Sequence, residues 1–182
     1  MNVIPGDIPG LLILEPKVHG DSRGFFMELW HQRRYAEAGM NVSFVQDNVS
    51  LSRRGILRGL HFQNPTPQGK LVQVLQGEVF DVAVDIRRSS PTFGRWQGVT
   101  LSAENKRQFF VPEGFAHGFL VTSETALFYY KCTEFYLPAN ELALRWDDPA
   151  LGIAWPNRTP LISDRDAKAP CLQDLPAEKL FA

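Results

Sequence analysis

The stretch Glu78-Val79-Phe80-Asp81-Val82-Ala83-Val84-Asp85-Ile86 decides the fold class. Phe80, Val82, Val84 and Ile86 alternate with Val79, Asp81, Ala83 and Asp85, the period of two that sends successive side chains to opposite faces of a β-strand. One face is apolar and the other carries two carboxylates. Such a strand suits a sheet whose polar face lines a cavity, and equally one whose polar face meets solvent; periodicity leaves both open. On either side, strand-length apolar runs recur: Leu11 to Val18, Phe25 to Trp30, Ser43 to Val49, Ile56 to Phe62 and Leu71 to Leu75 before it. After it come Arg95 to Leu101, Arg107 to Pro112, Phe119 to Thr122, Ala126 to Tyr136 and Leu142 to Trp146. Turn signals separate them, among them Gly20-Asp21-Ser22-Arg23-Gly24, Asn64-Pro65-Thr66-Pro67-Gln68-Gly69 and Pro112-Glu113-Gly114. Many short strands at this spacing predict an all-β sandwich or barrel.

Composition agrees. The 14 glycines and 13 prolines among 182 residues favour turns over long helices, and the length suits one domain spanning residues 1–182. The helix expected in the first half runs His31 to Ala38, closed by Gly39. From about residue 157 the pattern dissolves into turns, with a last helical turn expected within Pro176 to Phe181.

Lys and Arg number 19 against 20 Asp and Glu, so no bulk charge draws the chain to nucleic acid or an anionic membrane. No apolar run is long enough to span a bilayer, and Leu11 to Leu14 is too short for a signal peptide. Cys132 and Cys171 lie far apart with no Cys-x-x-Cys pair, which fits reduced thiols in a cytoplasmic protein.

Candidate chemistry is sparse. No glycine-rich phosphate loop, Gly-x-Ser-x-Gly elbow or His-x-His pair is present, so no nucleotide cofactor, serine nucleophile or metal centre is expected. His19 and His31 sit among charged neighbours, as surface histidines do. His61 closes Ile56-Leu57-Arg58-Gly59-Leu60-His61-Phe62, and His117 lies in a turn flanked by glycines and aromatics. Each reads either as a hydrogen-bonded core histidine or as part of a site. The nearby glycines favour a site, because a missing side chain lets a ligand approach the backbone. What remains is cofactor-free acid–base chemistry by His, Tyr, Lys and Asp.

An ordered set of segments then resembles the dTDP-4-dehydrorhamnose 3,5-epimerase family. It comprises Gly20-Asp21-Ser22-Arg23-Gly24-Phe25-Phe26, Phe44-Val45-Gln46-Asp47-Asn48, Leu57-Arg58-Gly59-Leu60-His61-Phe62-Gln63 and Gln68-Gly69-Lys70-Leu71-Val72. It continues through Gly77 to Asp85, Leu101 to Asn105 and Pro112 to Phe119, so the match runs from about Ile8 to Asp166. The resemblance implies a cupin-type jelly roll with a few short peripheral helices, a homodimer, and no metal or cofactor. Its substrate would be the nucleotide sugar dTDP-4-dehydro-6-deoxy-D-glucose, inverted at C3 and C5. An enzyme inverting C3 or C5 alone, or moving the ketone, is the nearest alternative.

By matched motif, His61 would be the base, Asp166 its orienting partner, Tyr130 the acid on the far face and Lys70 the group facing the enolate oxygen, itself also a substrate contact. Arg58 and Arg165 resemble diphosphate-holding residues, although relatives often carry Lys at the latter. Arg23, Phe26, Glu28, Gln46 and Asn48 match contacts on the nucleotide side, Tyr136 a ring stacked on thymine, and His117 and Glu141 further substrate contacts. The resemblance sends the Arg23 to Glu28 stretch into a neighbouring subunit's site. One departure is Val49, where many members have His.

Overall fold

The computed structural model describes Met1–Ala182. Thirteen strands run β1 Asn2–Pro5, β2 Leu12–Glu15, β3 Val18–Asp21, β4 Gly24–Met27, β5 Gln46–Arg53, β6 Leu57–Gln63 and β7 Lys70–Gln76, then β8 Glu78–Asp85, β9 Trp96–Ser102, β10 Gln108–Val111, β11 Phe115–Val121, β12 Thr125–Cys132 and β13 Glu141–Ala143. Helices are few and short: α1 Gln32–Glu37, α2 Asp164–Ala167 and three 3₁₀ turns at Pro138–Asn140, Leu172–Asp174 and Ala177–Lys179. None is long and apolar enough to cross a membrane.

The strands form a six-stranded sheet in the order β1-β2-β10-β7-β12-β5 and a five-stranded sheet in the order β13-β6-β11-β8-β9, with β3 and β4 as a separate hairpin. Neighbours are antiparallel throughout, and the order interleaves distant parts of the chain as a jelly roll does. Between the sheets lies a core that joins Val72, Val74, Phe109 and Phe128 of one to Val79, Ala83, Leu101 and Phe119 of the other.

Strand β8 shows how the layers are ordered. Val79 and Ala83, which share a face with Asp81 and Asp85, belong to the core between the sheets. Phe80, Val82, Val84 and Ile86 point the other way, against Leu144, Leu151, Trp155, Leu172 and Leu180 of the C-terminal third. The carboxylate-bearing face is therefore the interior one, and the wholly apolar face is outside the sandwich, sealed by the tail. Both carboxylates are fully buried. A third cluster, Leu14, Tyr35, Met40, Leu71 and Phe110, roofs the six-stranded sheet beneath α1.

The structure revises several sequence expectations. His117 is not in a turn: β11 begins at Phe115, because the glycine turn ends at Gly114, which has φ +91°. The run Leu11 to Val18 is two strands, β2 and the start of β3, and β1 pairs with β2 along its whole length. The run Ala126 to Tyr136 leaves the sheet after Cys132. Beyond residue 157 the chain is ordered by burial of Ile162, Leu172, Leu175, Leu180 and Phe181, and it contains α2. The first helix matches its expectation, with His31 as N-cap and Gly39 at φ +94°.

Candidate active site

A cavity of about 720 Å³ opens between the two sheets. His61 and His117 enter it from β6 and β11 of the five-stranded sheet, where they are directly paired across the strands. Two glycines permit that pairing. A Cβ on Gly59 would lie 2.6 Å from the Cα of Gly118, and one on Gly118 would lie 2.6 Å from the carbonyl oxygen of Arg58. These glycines let two backbones approach each other, Gly118 also lines the cavity, and the register shifts between His117 and Phe119.

His61 Nε2 lies 2.6 Å from Asp166 Oδ1. Asp166 is carried by α2, whose N-cap Ser163 accepts from the Asp166 N–H at 3.1 Å. Burial pushes the Asp166 carboxyl up, but its bond to His61, the charge there, the Ser163 hydroxyl and the Gly59 N–H outweigh it and leave the group below the usual carboxylate range. It therefore stays ionised and holds the ring. With Nε2–H given to Asp166, Nδ1 is the ring nitrogen free to take a proton, and Glu141 Oε1 stands 3.9 Å from it.

The opposite wall comes from the six-stranded sheet. Tyr130 on β12 sits between Asn48 of β5 and Val72 of β7, and Lys70 of β7 pairs with Cys132. Burial raises the Tyr130 hydroxyl above its ordinary value, helped by nearby Cys132 and Glu141 and opposed by Arg58, so it remains a proton donor. Burial lowers the Lys70 ammonium, against the pull of Cys132, Glu141 and Asp81. Its Nζ is committed to no side chain of the chain, which leaves its donors for whatever occupies the cavity.

The rim is a hydrogen-bonded frame. Tyr136 hydroxyl donates to Glu141 Oε2 at 2.7 Å, and Arg165 pairs with the same oxygen. Burial pushes the Glu141 carboxyl up, but these two bonds and His61 hold it low. Gln46 Oε1 accepts from the Tyr136 N–H at 2.8 Å while its amide donates to Asn48 Oδ1 at 3.0 Å. Arg58 Nε donates to Ser52 Oγ at 3.0 Å, leaving both terminal nitrogens free.

His61, Asp166, Tyr130, Lys70, Gln46, Asn48, Arg58, His117, Tyr136, Glu141 and Arg165 all line this one cavity. Arg23, Phe26 and Glu28 do not. They belong to the β3–β4 hairpin and its exit, where Arg23 pairs with Asp21 at 2.5 Å, Glu28 pairs with Arg34 at 2.8 Å and the Phe26 ring is 72% exposed. Within one chain they lie away from this cavity, and Phe26 and Glu28 line a smaller one with His19, Arg34 and Tyr35. Two residues escaped sequence reasoning. Asp81 is hydrogen-bonded to His117 Nε2 through both oxygens, at 2.8 and 3.0 Å, and its inward position was one of the two readings of β8. Gln63 binds Thr66 O at 2.6 Å and the Leu137 N–H at 2.8 Å, bracing the loop that carries Tyr136, a role no local pattern announces. No three His, Cys, Asp or Glu side chains converge as a metal site would require.

Fold and site together define a cupin-like jelly roll with a cavity between its sheets lined by His, Tyr, Lys and carboxylate side chains. The chain belongs to the dTDP-4-dehydrorhamnose 3,5-epimerase family, whose model matches residues 5–174. A dTDP-4-dehydrorhamnose 3,5-epimerase from Shigella flexneri is 60% identical over 168 residues, 91% of this chain and 93% of that protein. The crystal structure of dTDP-6-deoxy-D-glucose-3,5-epimerase RmlC from Legionella pneumophila Philadelphia 1, in complex with dTDP-4-keto-L-rhamnose, superposes with a TM-score of 0.96 at 54% identity, covering 99% of this chain and 97% of that one. ChmJ, a 3'-monoepimerase from Streptomyces bikiniensis in complex with dTDP-quinovose, gives a TM-score of 0.87 at 40% identity, over 93% of this chain and 87% of that one.

Proposed function

We propose that this chain inverts C3 and C5 of dTDP-4-dehydro-6-deoxy-D-glucose to give dTDP-4-dehydro-β-L-rhamnose, with no cofactor. The observation that carries this reading is the placement of a base and an acid on facing walls: His61 with Asp166 on the five-stranded sheet, Tyr130 and Lys70 on the six-stranded one. A hydrogen beside the C4 ketone is acidic because the electron pair left on carbon delocalises onto the carbonyl oxygen. His61 Nδ1 takes that proton, the Lys70 ammonium stabilises the enolate oxygen, and Tyr130 returns a proton from the other side of the ring. Asp166 keeps the imidazole oriented and offsets its positive charge while it holds the proton. Arg58 and Arg165 supply guanidinium groups for the diphosphate, and the exposed face of Tyr136 a surface for the base.

The working unit in this reading is a homodimer in the cytoplasm. Two free cysteines support a reducing compartment. Arg23, Phe26 and Glu28, which lie outside their own chain's cavity, would complete the partner's. Mixing an inactive His61→Asn chain with an inactive Arg23→Ala chain, under conditions that exchange subunits, should then restore activity through the one hybrid site that is intact. Absence of any recovery counts against a shared site.

The reaction itself is tested in deuterated water. Deuterium at both C3 and C5 of the recovered sugar is expected. Label at one carbon alone would replace this reading with a mono-epimerase.

A further inference from the structure

Strand β5 turns Gln46, Asn48, Ser50 and Ser52 inward in succession. Gln46 binds Asn48 and the Tyr136 N–H, Asn48 leans on Cys132 at 3.7 Å, and Ser52 accepts from Arg58. Ser50 is different. Its Oγ is shielded from solvent and has no hydrogen-bond partner in the protein, and it is the one buried side-chain nitrogen or oxygen of which this is true. Ser50 nevertheless lines the cavity. Folding strips a hydroxyl of water without a partner only at a cost, so such an exception calls for a partner that the protein does not supply, such as a ligand or a water.

The register says which part of a ligand that is. Ser50 is level with Phe128, one step beyond Asn48 and Tyr130, and one step short of Ser52. Alternate residues along a strand stand about 6.6 Å apart, so Ser50 lies one such step from the residue that anchors Arg58 Nε. The terminal nitrogens of Arg58 are free to pair two oxygens of one phosphate. We propose that Ser50 is a substrate-positioning residue whose hydroxyl donates to an oxygen of the diphosphate held by Arg58. This rests on the reading of the cavity as a nucleotide-sugar site. Rotation about χ1 would turn the hydroxyl from its shielded position into the cavity that Ser50 lines, and a bond to a charged oxygen is about twice as strong as a neutral one.

The test is Ser50→Ala, with dTDP and thymidine as calorimetric ligands and the full chain as protein. The variant should bind dTDP roughly tenfold more weakly than the parent and bind thymidine as the parent does, since thymidine has no phosphate. KM for the sugar nucleotide should rise by a similar factor, with a smaller effect on kcat. The free variant should melt at the same temperature as the parent or higher, because it buries one polar group fewer; a hydroxyl with a structural role would lower it. Unchanged dTDP affinity overturns the proposal, as does equal weakening of dTDP and thymidine. If the parent protein itself fails to bind dTDP, the nucleotide-sugar reading falls, and this inference falls with it.

Discussion

Asp81 and Asp85 occupy the same face of the same strand, two pleat repeats apart, and both are fully buried. Yet they serve opposite ends of the sandwich. Asp85 is saturated: Arg87 donates its N–H, Nε and Nη2 at 3.0, 2.9 and 2.8 Å, and the Ser90 and Thr92 hydroxyls each donate at 2.6 Å. Burial pushes its carboxyl up, but these bonds together hold it down at about 2. Asp81 has one partner, His117, and burial raises its carboxyl despite that bond and the charge of Lys70. The closed end meets its polar needs from within the chain. The open end leaves Lys70 Nζ, Ser50 Oγ and a nitrogen of His61 for something else, and that surplus of unmet polar capacity separates a site from a scaffold.

If the distinction holds, variants at the two ends should fail in different currencies. His61→Asn at the open end should lower kcat by roughly 10³-fold, within the range that general-base catalysis supplies, with little change in the thermal midpoint. A large loss of stability there would erase the contrast. At the closed end, Asp85→Asn should cost roughly 3 kcal/mol of folding free energy, because it strands donors aimed at a buried charge. Urea titration reads this as a lower midpoint, while kcat per folded molecule stays at the parent value. Tyr130→Phe should reduce C5-inverted product by about 10²-fold while solvent exchange at C3 persists and stability is kept. Normal C5 inversion would remove Tyr130 as the acid.

The same contrast explains what could be read from the chain. Alternation along residues 78–86 identified a strand, because the side-chain period is local. It did not say which face is interior, since that depends on Leu151, Trp155 and Leu180 returning from far along the chain to cover Phe80, Val82 and Val84. Tyr130, Lys70 and His61 stand in motifs whose order resembles a family, and they converge on one cavity. Asp166 had no periodic context; a Ser163 cap, a Gly59 N–H and the His61 ring position it, and none of these is visible as spacing. Glycines 59 and 118 were read as room for a ligand; Gly118 does line the cavity, but both are also room for each other, which no spacing announces. Ser50 left no trace in sequence, because a lone serine in a strand becomes informative only when its hydroxyl is found unpaired.

The smallest effect expected is also the most direct comparison of the two carboxylates. A carboxyl held low in the folded state contributes stability that is present above its unfolded value and lost as pH falls through the folded one. With an unfolded value near 3.9 and a folded value of about 2, Asp85 should contribute roughly 2 to 3 kcal/mol at neutral pH that fades between about pH 5 and pH 2. Asp81 has the reverse sign. Its folded value is raised, so its contribution is complete at low pH and is lost as pH rises, when the buried carboxylate must ionise. Denaturant midpoints of Asp81→Asn and Asp85→Asn, each measured against the parent across the acid range, should therefore diverge. The deficit of Asp85→Asn should shrink as pH falls, whereas Asp81→Asn should gain on the parent as pH rises. Parallel slopes would mean that both carboxylates are scaffold, and that the open end of the sandwich begins above Asp81 rather than at it.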